Sequence, residues 1–157
     1  MRKNILLLSI FCFLAAAISA QNSDAAKKTD ELRSTCCEQV RAQLDNYLAE
    51  LQNAPEATGY IVFYGGKAHP KCMGYQSAPR RGELSLLITA LEQHVKFRKF
   101  PAERIVWLKG GYKENWVVEF WIGQKGGTAP ALSPEYRKKD IKYRKGEPYN
   151  LGWSCEG

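Results

Sequence analysis

Residues 59–66, Gly-Tyr-Ile-Val-Phe-Tyr-Gly-Gly, form a run of β-branched and aromatic residues bracketed by glycines. Side chains alternate between the two faces of a strand. Here both faces are apolar, so the segment is expected to be a central strand covered on both sides. The rest of the chain must supply that cover.

From about Asp30 to Asn53 the pattern is helical. Val40, Leu44, Tyr47, Leu48 and Leu51 share one stripe, and Asn53-Ala54-Pro55 ends it. Residues 67–82, with Pro70, Gly74, Pro79 and Gly82, read as a long loop. Glu83 to Phe97 is predicted to be a second helix, with Leu84, Leu87, Ile88, Leu91 and Val95 as its stripe. Arg104 to Lys109 is a second strand, Gly110 to Asn115 a turn, and Trp116 to Ile122 a third strand. The last two strands are expected to form a hairpin. Asp140 to Arg144 is a candidate edge strand whose charges discourage pairing with another chain.

The fold class that follows is α/β (α+β), with a small mixed sheet in the order helix-strand-helix-strand-strand. The strand–helix–strand unit should be parallel and right-handed. Both helices should cover one face, and the C-terminal tail is the candidate cover for the other. In domain terms, residues 1–20 are a signal peptide, 21–30 a flexible arm, 31–123 the α/β domain and 124–157 a C-terminal extension.

The leader is read from Arg2 and Lys3, the uncharged run Ile5 to Ala17, and the polar stretch after Ala20. The cut falls after Ala20 or after Ala17, and the mature chain has no transmembrane segment. Export to the periplasm or medium follows. Losing Cys12 leaves Cys36, Cys37, Cys72 and Cys155, an even set that suggests two disulfides. A Cys36–Cys37 bond joins neighbours and is disfavoured. Each of the pair is then expected to bond one of Cys72 and Cys155, at about 3–4 kcal/mol apiece. A zinc site using His69 and Cys72 lacks a recognised spacing, so no metal and no cofactor is expected.

The chain has 157 residues, 45% hydrophobic and 25% charged, enough for one core. That excludes disordered, collagenous and polytopic membrane classes. The formal charge is +7, falling to +5 without Arg2 and Lys3. It permits an anionic partner.

Several pieces in order resemble the C-terminal domain of outer-membrane protein A and its peptidoglycan-associated relatives (the OmpA C-terminal-like family). They are the helix through Leu44-Asp45-Asn46-Tyr47-Leu48-Ala49-Glu50-Leu51, the strand Gly59 to Gly66, Arg104-Ile105-Val106, Gly110-Gly111-Tyr112 and Val118-Glu119-Phe120. The pattern covers about residues 40–123. The Gly-Tyr-Ile…Tyr-Gly-Gly and Gly-Gly-Tyr features also resemble uncharacterised exported bacterial proteins. The resemblance implies a peptidoglycan-binding fold of the cell envelope. The family grips its ligand with an aspartate after the first strand and an arginine in the second helix. Here the arginine position falls on Leu87 or Ile88, and no Asp or Glu lies between Glu56 and Glu83.

Candidate ligand-binding residues therefore come from elsewhere. Ligands of open α/β sheets sit beyond the carboxyl ends of parallel strands. The loop with Lys67, His69, Lys71, Arg80 and Arg81, and the turn with Lys109, Tyr112 and Lys113, should both lie there. Arg80-Arg81-Gly82 also precedes a helix N-terminus, whose free N–H groups favour an anion. Glu119 is expected to be a strand carboxylate paired with Arg or Lys, or facing solvent, and His94 a boundary residue. No catalytic motif is present. The aromatics of 116–121 alternate as core, so no nucleic-acid partner is expected. The chain reads as a non-catalytic exported binding or structural module, for peptidoglycan or another anionic envelope ligand. One alternative is a protein-interaction module using Tyr149, Leu151 and Trp153. Another is a small secreted hydrolase, which a shielded pocket joining His69 or His94 to a carboxylate would favour.

Overall fold

The fold is that of a computed structural model, which describes residues 24–33, 37–68 and 78–148. The leader and its cut, Cys36, Cys72, Cys155, His69, Lys71 and the tail residues Tyr149, Leu151 and Trp153 lie outside these residues. Cys37 enters only as the first residue of a helix.

The order is β1 (Lys27–Leu32), α1 (Cys37–Asn53), β2 (Ala57–Ala68), α2 (Glu83–Phe97), β3 (Ile105–Asn115) and β4 (Val117–Gln124). Short 3-10 turns occupy Ala102–Arg104 and Lys138–Asp140. The four strands make one mixed sheet in the order β1-β4-β2-β3. β2 and β3 are parallel, while β4 runs antiparallel to both β2 and β1. The class is thus mixed α+β, two helices with a small mixed sheet.

The residues of 59–66 dictate the layering. Ile61 and Phe63 join Val118 and Phe120 beneath both helices, against Leu44 and Leu48 of α1 and Leu87 and Leu91 of α2. Val62 and Tyr64 point to the opposite face and bury themselves with Val117, Leu108 and Trp121. There the C-terminal extension gives partial cover. The Ser133 amide donates to the Tyr64 hydroxyl at 3.1 Å, and Pro134 lies against Gly111. Both faces of the central strand are therefore dry, as its composition demands.

Four expectations are corrected. The polar segment expected to be an arm running into a helix is the edge strand β1. Its backbone pairs along β4 from Lys27–Ile122 to Leu32–Val118, and Leu32 alone is buried. Residues 110–115 continue β3 and make no turn. Gly110 is there for contact: a Cβ would sit 2.4 Å from the Tyr64 ring. Gly111, at φ 102°, carries a register shift against β2. β3 and β4 form no hairpin, because β2 lies between them. Their connection crosses β2 at Gly66, where a Cβ would be 2.4 Å from the Trp116 nitrogen. Finally, 140–144 is not a strand; its one β-type pairing among the described residues is an isolated bridge, Arg80 to Arg144.

Candidate functional site

Beyond the carboxyl end of β2 lies a pocket of about 290 Å3. Gly65 and Gly66 form part of its lining and leave room because they carry no side chains. A Cβ on Gly65 would meet the Tyr112 ring at 2.7 Å. Gly82, at φ 92°, caps α2 and turns the preceding Arg80 and Arg81 into the pocket wall. Lys109 and Tyr112 line it from β3. Four of the seven residues singled out from sequence thus meet in one place.

The C-terminal extension holds this wall. The Arg144 amide donates to Pro79 O at 2.9 Å, and its Nε to Ala78 O at 2.7 Å. Arg80 Nη1 donates to Glu147 O at 3.0 Å. The Tyr143 hydroxyl donates to the Tyr112 hydroxyl at 3.0 Å, and the Arg81 guanidinium lies 5.2 Å over the Tyr143 ring. Burial, helped by the bond to Tyr112, pushes the Tyr143 phenol up to about 12. It stays neutral and serves as a hydrogen-bonding group.

Lys67 and Lys113 go elsewhere, and Lys71 is outside the described residues. Lys113 follows Tyr112 and so faces the other side of the sheet. Its ammonium meets Glu119 Oε1 at 3.0 Å and lies 4.0 Å over the Tyr64 ring. Trp121 Nε1 donates to the second oxygen of Glu119 at 3.1 Å, so of the two arrangements open to this strand carboxylate it takes the paired, buried one. Lys67 pairs with Glu114 at 3.2 Å and stands 3.5 Å over the Tyr136 ring.

The pocket wall also contains residues that sequence reasoning passed over. Glu83, 3% exposed, is the first residue of α2 and puts a carboxylate beside the arginines. Trp116, 2% exposed, belongs to the crossing over Gly66, and its indole N–H has no acceptor among the described residues. Lys138 and Tyr143 arrive from the extension. Only Glu83 had a local signal, as the first carboxylate after a basic loop.

The other titratable cluster ties the helices together. His94 Nε2 meets Asp45 Oδ1 at 2.8 Å, and Arg98 grips both Asp45 oxygens. Burial alone would raise the Asp45 carboxyl, but the hydrogen bonds and charges of Arg98 and His94 outweigh it and hold it below its ordinary value. The shallow groove beside His94 is lined by Arg41, Ala90, Gln93, Phe97 and Arg98, and offers no hydroxyl or thiol nucleophile. Among the described residues no cluster of three or more His, Cys, Asp or Glu could hold a metal ion, and no helix is long and apolar enough to cross a membrane. Comparison with protein-family models, with curated proteins and with solved structures found no match.

Proposed function

We propose that this chain is an exported, non-catalytic binding module of the cell envelope whose pocket at the end of β2 takes an anionic group, such as a carboxylate, a phosphate or an acidic glycan substituent. The observation that carries the reading is the meeting of Arg80, Arg81, Lys109 and Tyr112 at the N-terminus of α2. Oriented amides and cations of this kind favour negative charge. Peptidoglycan is the ligand supplied by the resemblance to the OmpA C-terminal-like family. In its favour, the order helix, strand, helix, strand, strand runs over the matching residues, and Glu83 brings to the pocket wall a carboxylate that the preceding loop lacks. The two disulfides among Cys36, Cys37, Cys72 and Cys155 belong to the same reading. β1 ends at Leu32 beside Val118 and Phe63, β2 exits at Ala68, and Pro148 rests against Gly82, all at this end of the sheet. These described residues flank the cysteines in sequence and support that reading.

The test is cosedimentation of the oxidised protein with purified peptidoglycan at low and high salt. Arg81 and Lys109 are exposed, so replacing both with Ala leaves the fold intact. The expected result is retention that falls in high salt and falls about tenfold or more in the double variant. Equal binding by the double variant overturns the reading, and no binding at either salt overturns peptidoglycan as the ligand and the resemblance as a guide to it.

A further inference from the structure

The sheet has two edges, and they are unlike. β1 presents Lys27, Lys28, Asp30 and Glu31, with a register shift between Lys28 and Asp30. Charge and irregularity of this kind blunt an edge against pairing. β3 presents Ile105, Val106, Trp107 and Leu108 before its first charge at Lys109. The Ile105 amide donates to Ala102 O, and no backbone partner occupies the outer edge from Val106 to Gly110 among the described residues. That is about 17 Å of open hydrogen-bonding edge, with Val106 38% exposed.

A groove runs along this edge. It lies between β3 and α2, and Trp107 stacks on Phe63 beneath it at 5.8 Å. It shares Ser85, Ile88 and Lys109 with the basic pocket, so the two adjoin. β3 runs towards that pocket: Ile105 is at the far end, Lys109 and Tyr112 at the near one. Past Gly110 the edge is closed. The amides of Glu135 and Tyr136 both donate to Tyr112 O, at 2.8 and 3.0 Å, and Pro134 packs on Gly111.

We propose that the free edge of β3 accepts an extended polypeptide C-terminus as a fifth strand, paired parallel to β3, with its terminal carboxylate held in the basic pocket. The inference rests on the anion-binding reading above and names the ligand that reading leaves open. Each part has its own cause. The open edge supplies main-chain hydrogen bonds, the usual source of affinity in strand addition. Ile88 and Trp107 give alternate apolar side chains of the guest a surface. The block at Pro134 and Tyr136 makes the guest stop beside Lys109. A parallel guest then delivers its carboxylate, and not its amine, to Arg80, Arg81 and Lys109. A second copy pairing by its own β3 would run antiparallel about a two-fold axis and bring no carboxylate to either pocket.

The experiment uses the full oxidised chain and a pool of N-terminally fluorescein-labelled hexapeptides with Val, Leu, Ile or Phe at alternate positions. Binding is read by fluorescence anisotropy. Amide hydrogen exchange is followed at the amides of Val106–Gly110 that point away from β2. The expected result is a subset of peptides that bind with a free C-terminus and protect those amides. Their affinity drops about tenfold or more on C-terminal amidation, on N-methylation of one alternate set of peptide amides, and in the Arg81→Ala, Lys109→Ala variant. N-acetyl-leucine serves as the minimal carboxylate. If it binds and shifts the resonances of Arg81 and Lys109 while no hexapeptide binds, strand addition is overturned and the anion pocket stands. If neither binds, both fall. Equal binding of amidated peptides, or binding without protection of those outward amides, overturns the proposal. So does protection of those outward amides already present in the free chain: if independent of concentration, another segment of the same chain fills the edge, and if rising with concentration, a second copy does.

Discussion

Gly66 has room for no side chain because the chain passes directly over it. Its missing Cβ would lie 2.4 Å from Trp116 N and 2.5 Å from Ala68 O, both backbone atoms that cannot rotate away. Gly66→Ala is expected to cost about 3 kcal/mol or more, at the upper end for overpacking, read as the loss in urea unfolding free energy. A lesser loss would mean that the crossing gives way easily. Asp45 makes a separate prediction. Its carboxyl is held below its ordinary value in the folded state, so the charged form stabilises the fold above that value and the contribution fades as pH falls through the folded one. Asp45→Asn should lower stability at pH 7 by about 1 kcal/mol, with the gap to wild type closing below about pH 4. A gap that stays constant to pH 2 would show that the charge of Asp45 is not what ties the helices.

At the scale of elements, α1 ends without a basic residue in its last turn. Its last turn and the two residues after it that lead into β2 are held by a side chain from a distance instead. One Arg104 Nη2 donates to Leu51 O and Ala54 O at 2.7 Å each, and to Ala57 O at 3.2 Å. That is a structural reason for the Arg-Ile sequence that opens β3. Arg104→Ala should cost about 1–2 kcal/mol and speed hydrogen exchange at the end of α1 more than in α2. Uniform exchange through both helices would contradict the capping role. α2 was legible to its last residue because Leu87, Leu91 and Val95 must all reach one core. β1 was not, because only Leu32 of its six residues is buried and its pairing is made by β4's backbone. The glycine pair of β3 has the composition of a turn. Its real cause, the Tyr64 ring and Pro134, comes from elements far away in sequence. The pocket divides in the same way. Arg80, Arg81, Lys109 and Tyr112 follow from the parallel-strand rule. Trp116 depends on the crossing over β2 and Tyr143 on the return of the extension, and no local pattern encodes either.

For the whole molecule, the order β1-β4-β2-β3 places the last strand in the middle of the sheet. β2, α2 and β3 are consecutive and can assemble from nearby sequence. β1 pairs with β4 alone, so its contacts should form after the rest. Leu32→Ala, at about 2–4 kcal/mol, is expected to speed unfolding and leave the folding rate nearly unchanged in stopped-flow urea jumps. A matching slowdown in folding would place β1 in the nucleus. The threonine and phenylalanine joined by the Thr29 Oγ1 to Phe120 O bond are 91 residues apart. At ordinary synthesis speeds the ribosome needs on the order of ten seconds to make the intervening chain. Through that interval the first strand waits with nothing to pair with. The sheet stays open at its centre until almost the whole domain has been made.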